Sequence, residues 1–303
     1  MRAPIRMVAL IPTHRRKDLV RHTLKSIEQS RLPTSLTSVR VIENGEKDGT
    51  EEVVRAFEDT IKAEYLYSPL GNKSAALNQA LQDLHDEFVI FLDDDIRVSK
   101  ELFIAYREVA RAPAGSSFFG GPVSCDYEKA PPEWLLQFLP PSVRGWQSKN
   151  GEGISREMAF LGCNWAAFAK DIKTLGGFNT DVGPGGRLGA SGQESDMQRR
   201  LQLAGLKPHY VPDALVWHYV PESNCTPEWT LRRIYRYATE SGLKLPKGNR
   251  SVFGLPPWAI RTVTLRYMAY LQSLTSANTE RRFLARYKLA ESLGVINGLR
   301  KKP

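Results

Sequence analysis

Apolar runs and amphipathic stretches alternate along the first hundred residues. Residues 7–11 are wholly apolar and close at Pro12, which predicts a short buried strand. Residues 17–29 then carry Leu19, Val20, Thr23, Leu24 and Ile27 three and four apart, the spacing of a helix with one buried face. Residues 39–42 predict a second strand that ends at Glu43-Asn44-Gly45. After the Asp48-Gly49 turn, Thr50 is placed to cap a helix over residues 51–57. A third strand is expected over 63–67, a helix from Gly71-Asn72-Lys73-Ser74 to Leu84, and a fourth strand over 88–92. Short strands joined by helical crossovers predict a mostly parallel sheet with helices on both faces.

The second half is less regular. Residues 117–123 and 158–168 read as strands, separated by a proline- and tryptophan-rich stretch over 130–147. Residues 183–192 hold five glycines in ten, more freedom than a packed fold needs, which suggests a loop that moves over a ligand. A helix is expected over 193–204, then strands over 207–211 and 215–220. From Trp229 onward the pattern is helical.

The chemistry concentrates where apolar runs end. Phe88-Val89-Ile90-Phe91-Leu92 passes directly into Asp93-Asp94-Asp95. Such a run suits a strand buried on both faces, so the carboxylates emerge at its C-terminal end, where open α/β sheets bind ligands. Three adjacent carboxylates repel one another, and a hard divalent cation completed by phosphate oxygens relieves that repulsion. A solvated acidic turn is the simpler alternative. Glu194 falls at a helix start, either as a partner of the helix dipole or as a general base. Asp196 and Arg200 are four apart and can pair on one helix face. His218 stands near a strand end as a hydrogen-bonded structural residue or a further metal ligand. Lys73 opens a helix, placed to meet a phosphate or to lie exposed.

Charge divides the chain. Residues 229–303 hold 15 Lys/Arg against 3 Asp/Glu, while the remainder is slightly acidic, so the last quarter supplies all of the net +9. This supports two regions, 1–228 and a basic, amphipathic helical 229–303, the latter suited to an anionic membrane surface or to packing and self-association. Nothing reaches 18 uninterrupted apolar residues, so no membrane-spanning helix is expected. Three cysteines without CxxC spacing argue against a zinc site or a disulfide framework and fit a reducing compartment. The first residues lead straight into a strand, which reads as a cytoplasmic protein without a signal peptide, peripheral at the inner membrane face if the tail binds lipid. No nucleic-acid-binding module is recognised. Trp146 and Trp165 could stack on sugars or pack in the core.

Six segments occur in the order found in family 2 glycosyltransferases: residues 8–16, 41–50, 71–78, Leu92-Asp93-Asp94-Asp95, Gly192-Gln193-Glu194-Ser195-Asp196, and His218. Over residues 5–240 the chain resembles that family, in particular its bacterial exopolysaccharide and lipopolysaccharide enzymes. The resemblance implies a GT-A fold, Rossmann-like and mostly parallel, and an inverting, metal-dependent hexosyltransferase. Its donor would be a nucleotide-diphosphate sugar, with UDP favoured, and its acceptor a saccharide or lipid-linked saccharide. Pro12, Thr13 and Arg16 would line the nucleotide pocket together with Lys73 and Asn78, and Glu43 would read the base. Asp93 and Asp95 would form the DxD motif, with Asp95 the direct ligand of Mn²⁺ or Mg²⁺, His218 completing the site, and Asp94 supporting the turn or touching the ribose. Glu194 matches the catalytic base, with Asp196 as fallback. The chain departs from the family in having Glu at 43 and 194, where Asp is usual, Gln193 in place of an acid, and Asn224 where many relatives carry arginine. An extra methylene moves a carboxylate by about 1 Å, enough to cost rate unless the pocket compensates. The Gln193-Glu194 departure leaves a non-catalytic nucleotide-sugar or polysaccharide-binding protein as the alternative.

Overall fold

A computed structural model describes residues 5–111, 117–149, 151, 153–154, 159–187, 192–245 and 254–301. The chain begins with β1 (Met7–Thr13), α1 (Lys17–Glu28), β2 (Leu36–Asn44), α2 (Thr50–Arg55), α3 (Glu58–Ile61), β3 (Ala63–Ser68), α4 (Lys73–Ala80) and β4 (Phe88–Leu92). A short β5 (Ile96–Val98) precedes α5 (Leu102–Arg111), β6 (Ser117–Gly120), β7 (Val123–Tyr127), α6 (Glu133–Leu136) and α7 (Pro141–Arg144). Next come β8 (Gly153–Ile154), β9 (Asn164–Phe168), α8 (Ala169–Thr174), α9 (Gln193–Leu203), β10 (Lys207–Tyr210) and β11 (Val216–Val220). After a 3-10 turn at Glu222–Cys225, the chain ends in α10 (Pro227–Lys244), α11 (Pro257–Ser273) and α12 (Thr279–Lys301). Contacts divide it into two compact units, residues 1–126 with 144–219, and 127–143 with 220–303.

The first unit is built on an eight-stranded sheet in the order β3-β2-β1-β4-β9-β6-β10-β8. β1 runs parallel to β2 and β4, whereas β9 is antiparallel to both β4 and β6. The expected parallel half is present, and the sheet is mixed because β9 enters between β4 and β6. β1 and β4 are buried along their whole length, since helices cover both faces. Alternate residues therefore serve two cores. Met7, Ala9 and Ile11 pack in one core with Val20, Leu24 and Ile27 of α1. Val8 and Leu10 pack in the other with Ala76, Leu77 and Ala80 of α4.

Several expectations shift in detail. The strand expected over 158–168 is only Asn164–Phe168, and residues 155–158 lie outside the described set. The strand expected over 117–123 stops at Gly120, and Val123–Tyr127 forms a separate strand after Pro122, whose missing N–H cannot continue a ladder. Thr50 is not the cap but the first helical residue; Gly49 caps at φ +91°, and Asp48 Oδ1 accepts from the Thr50 N–H. Trp165 is not a sugar platform: it is 1% exposed and stacked on Phe91, with ring centroids 4.3 Å apart. A second, three-stranded sheet, β5-β11-β7, was not anticipated.

In the second unit α12 packs against both α10 and α11. Glycines permit the α10–α12 approach: a Cβ at Gly298 would overlap the Thr239 carbonyl oxygen, and one at Gly294 the Tyr235 carbonyl oxygen. Residues 127–143, which hold most of the Pro/Trp-rich segment, belong to this unit, with Trp134 and Phe138 edge-on to Phe283 of α12. Gly298→Ala is expected to cost about 1–3 kcal/mol, because two helix backbones must part to admit one methyl group. Thermal denaturation checks it, and an unchanged melting temperature would contradict the close packing.

Candidate active site

β4 delivers its three carboxylates into unequal surroundings. Asp94 turns inward, where it accepts from the Thr13 hydroxyl at 2.6 Å and from Arg16 at 3.2 Å, and its backbone oxygen accepts from Thr23 at 2.9 Å. Burial, reinforced by the charge of Asp95, pushes its carboxyl up to about 6. These bonds tie Asp94 into the turn. Asp93 accepts from the Lys73 ammonium at 2.6 Å. Burial would raise Asp93, but Lys73 overrides it and holds the carboxyl below its ordinary value. Asp95 accepts from Arg16 at 2.9 Å through one oxygen, and its pKa is raised by burial against the opposing pull of His218. Arg16 and Lys73 thus offset part of the acidic charge, so self-repulsion alone is a weaker argument for a metal than the sequence suggested.

Unsatisfied atoms make the stronger argument. Asp95 Oδ1 and His218 Nδ1 are buried with no hydrogen-bond partner. One ligand atom each from Asp93, Asp95 and His218 lie within 4.8 Å of one another. Two carboxylates and an imidazole suit a divalent cation such as Mn²⁺ or Mg²⁺, so the residues present fit the group. The small sheet creates this arrangement. His218 pairs in register with Ile96, and the Tyr219 N–H donates to the Asp95 carbonyl at 2.8 Å. His218 Nε2 comes to 3.4 Å from Asp95 Oδ1.

Glu194 is the second residue of α9, whose cap is Gly192 at φ +96°. It lines a narrow cleft with Pro12, Lys73, Asp93, Gly162 and Gln193. Gly162 is the residue the sequence did not flag: a Cβ there would sit 3.0 Å from the Glu194 carboxyl carbon. It lies in an irregular turn with no motif to mark it. Burial raises the Glu194 carboxyl, partly countered by Lys73. Asp196 is paired with Arg200 at 2.9 Å, as the four-residue spacing predicts.

The other candidates have partners within the chain. Glu43 is fully buried, and its carboxylate accepts from the Asp48 N–H at 2.8 Å and the Tyr65 hydroxyl at 2.5 Å. Asn78 grips the Phe178 backbone at both ends of its amide, at 2.8 and 2.7 Å. The start of α4, where a phosphate was expected, is used by the chain itself. The Lys73 N–H donates to the Pro184 carbonyl at 3.1 Å, and Asn72 caps the Ala75 N–H at 2.9 Å. Asn72 also donates to the Thr180 and Gly185 carbonyls, so the described part of the glycine loop is latched onto α4. Gly185, at φ +81°, passes so close to Gly71 that a Cβ would overlap its carbonyl oxygen. Residues 188–191 of that loop lie outside the described residues. A larger cavity of about 690 Å³ lies within the helical unit, and no carboxylate is among its lining residues.

Residues 8–172 match the family described as Glycosyl transferase family 2. The chain is 27% identical over 300 residues to the succinoglycan biosynthesis protein ExoM of Rhizobium meliloti (strain 1021), covering 95% of this chain and 90% of that protein. Among solved structures it is similar to the mannosyltransferase PcManGT from Pyrobaculum calidifontis in complex with GDP-Man and Mn²⁺. The TM-score is 0.61 at 19% identity, over 99% of this chain and 90% of that one. It is also similar to S. aureus TarS 1-349 in complex with UDP-GlcNAc, with TM-score 0.52 at 14% identity over 97% and 90% of the two chains. At such identities the likeness to solved structures is one of fold.

Proposed function

Because this chain belongs to glycosyl transferase family 2 and has the GT-A fold, we propose that it transfers a sugar, with inversion, from a nucleotide-diphosphate donor to a saccharide hydroxyl. The acceptor is a free or lipid-linked saccharide, and UDP is the favoured nucleotide. The observation that carries the reading is the cleft itself: a half-buried carboxylate, Glu194, shares it with Lys73 and Asp93, the latter one arm of the Asp93–Asp95–His218 cluster.

In this mechanism the acceptor oxygen attacks the anomeric carbon as the bond from that carbon to the diphosphate oxygen breaks. The nucleoside diphosphate leaves with the bonding electron pair, and Glu194 takes the hydroxyl proton. A divalent cation bound by Asp95, Asp93 and His218 supplies Lewis-acid neutralisation of the diphosphate. Lys73 keeps a positive charge between Asp93 and Glu194, which favours the ionised base. Pro12 borders the cleft, and Arg16 holds the acidic turn in place.

Donor turnover with Mn²⁺ across a panel of UDP- and GDP-sugars tests the reading; no turnover with any of them would sink it. The pH dependence is a sharper check. Burial raises the Glu194 carboxyl against the opposing pull of Lys73, and the nearby charge of Asp93 adds to the rise. A base acts only when ionised, so activity should fall with decreasing pH through a value above the ordinary glutamate pKa of about 4.3, and level off above it. An acid limb at or below that ordinary value would remove Glu194 from the role.

A further inference from the structure

The helical unit has its own groove. α10 and α11 both lie on α12, and cavities of about 690 and 190 Å³ occupy the space between them. The larger is walled by Trp229, Tyr270 and Leu293, with Arg232, Arg236 and Arg286 also in its lining. Its volume falls in the range of small-ligand sites. None of these three arginines forms an ion pair among the described residues. The adjacent Arg233, stacked on Trp229, has its pKa lowered by burial and by the charge of Arg236, with Glu240 opposing the shift.

The same unit carries an apolar surface. Of the twelve exposed large apolar side chains among the described residues, nine lie on α10–α12 and a tenth, Leu274, directly follows α11. Five lie on α11, where Trp258, Leu265 and Met268 are 49%, 58% and 51% exposed, and Leu274 at its C-terminal end is 53% exposed. A concentration of that kind marks an interaction surface. Unpaired guanidinium groups require an anionic partner, and exposed leucines require an apolar one. Nucleic acid offers only the first, and a second copy of this chain brings the same positive charge. An anionic bilayer offers both at once. No helix among the described residues is long and apolar enough to cross a membrane.

We propose that the helical unit is a bilayer-surface module. Its Arg232–Arg236–Arg286 pocket takes the headgroup phosphate of an anionic phospholipid, and the exposed face of α11 enters the headgroup region. Guanidinium forks match phosphate oxygens in geometry as well as charge. The proposal deepens the surface association expected from the charge of residues 229–303. It does not rest on the transferase reading, so donor turnover and lipid binding can fail separately.

Co-sedimentation of the full chain with vesicles tests it, comparing phosphatidylcholine alone with phosphatidylcholine mixed with phosphatidylglycerol. Binding to the mixed vesicles should be at least about tenfold tighter and should weaken with salt. The triple variant Arg232→Gln/Arg236→Gln/Arg286→Gln should lose about 100-fold, from roughly fivefold per arginine. The corresponding triple lysine variant should recover most of that loss, which separates charge from misfolding. Leu265→Gln/Leu271→Gln should abolish the part of the binding that survives high salt. Donor turnover without vesicles should be unchanged in all of these. Equal binding to both vesicle types, or wild-type binding by the glutamine triple, would overturn the proposal. Tighter binding to duplex DNA than to the anionic vesicles would overturn it in favour of nucleic acid. A concentration-dependent dimer lost in the leucine variant would assign the face to a second copy instead.

Discussion

Replacing Glu194 with glutamine should lower the transfer rate by about 10²–10⁴-fold while donor affinity changes only a few-fold. That range corresponds to about 3–5 kcal/mol of transition-state stabilisation. Glutamine keeps the size of the side chain against Gly162 and removes only the ability to accept a proton. Asp196→Asn provides the contrast. Its carboxylate is held by Arg200 at 2.9 Å and Arg199 at 3.5 Å, and Arg200 also donates to the Leu175 and Gly177 carbonyls. Losing that charge should loosen the seat of α9 and lower the melting temperature, with a small effect on rate. Single-turnover rates and thermal denaturation of both variants decide the matter. If Asp196→Asn abolishes transfer and Glu194→Gln does not, the base is Asp196.

Asp95→Asn should reduce activity by about 10³-fold or more and erase any stabilisation of the protein by Mn²⁺. Asp95 is singled out over its neighbours by its partners. Asp93 is engaged with Lys73, and Asp94 with Thr13 and Arg16, whereas Asp95 Oδ1 is buried without a hydrogen-bond partner. A cation at 100 times its dissociation constant stabilises the fold by about 2.7 kcal/mol, a readily measured rise in melting temperature. In the wild type a chelator should abolish transfer and restored Mn²⁺ should return it. His218→Ala should weaken the Mn²⁺-induced shift without removing it. If Mn²⁺ raises the melting temperature of Asp95→Asn as much as that of wild type, the cation binds elsewhere and the cluster is only an acidic turn.

Much of this site is written locally in the chain. The run from Phe88 to Leu92 is apolar at every position, so it must be buried on both faces, and its end marks where the carboxylates emerge. The Asp196–Arg200 pair follows from helical spacing alone. The roles of Glu43 and Asn78 were not readable in this way. Their motif positions point to a ligand, and only the fold shows that Tyr65, the Asp48 N–H and the Phe178 backbone also engage them. Lys73 was correctly placed at a helix start, yet its partner Asp93 becomes apparent only when α4 and β4 pack together.

By itself, then, the sequence determined the β-α rhythm of the first half, the position of the acidic turn, the family and the basic character of the last quarter. These depend on periodicity, residue order and charge, all of which are local or additive. Tertiary structure alone decided that β9 enters antiparallel between β4 and β6, and that β5, only three residues long, pairs with β11. It also decided that residues 127–143 join the terminal helices. The pairing of β5 with β11 brings His218 beside Asp95 across more than a hundred residues of chain. Such contacts are selected by which surfaces remain to be buried once the local elements exist, and no pattern within a single segment records that choice.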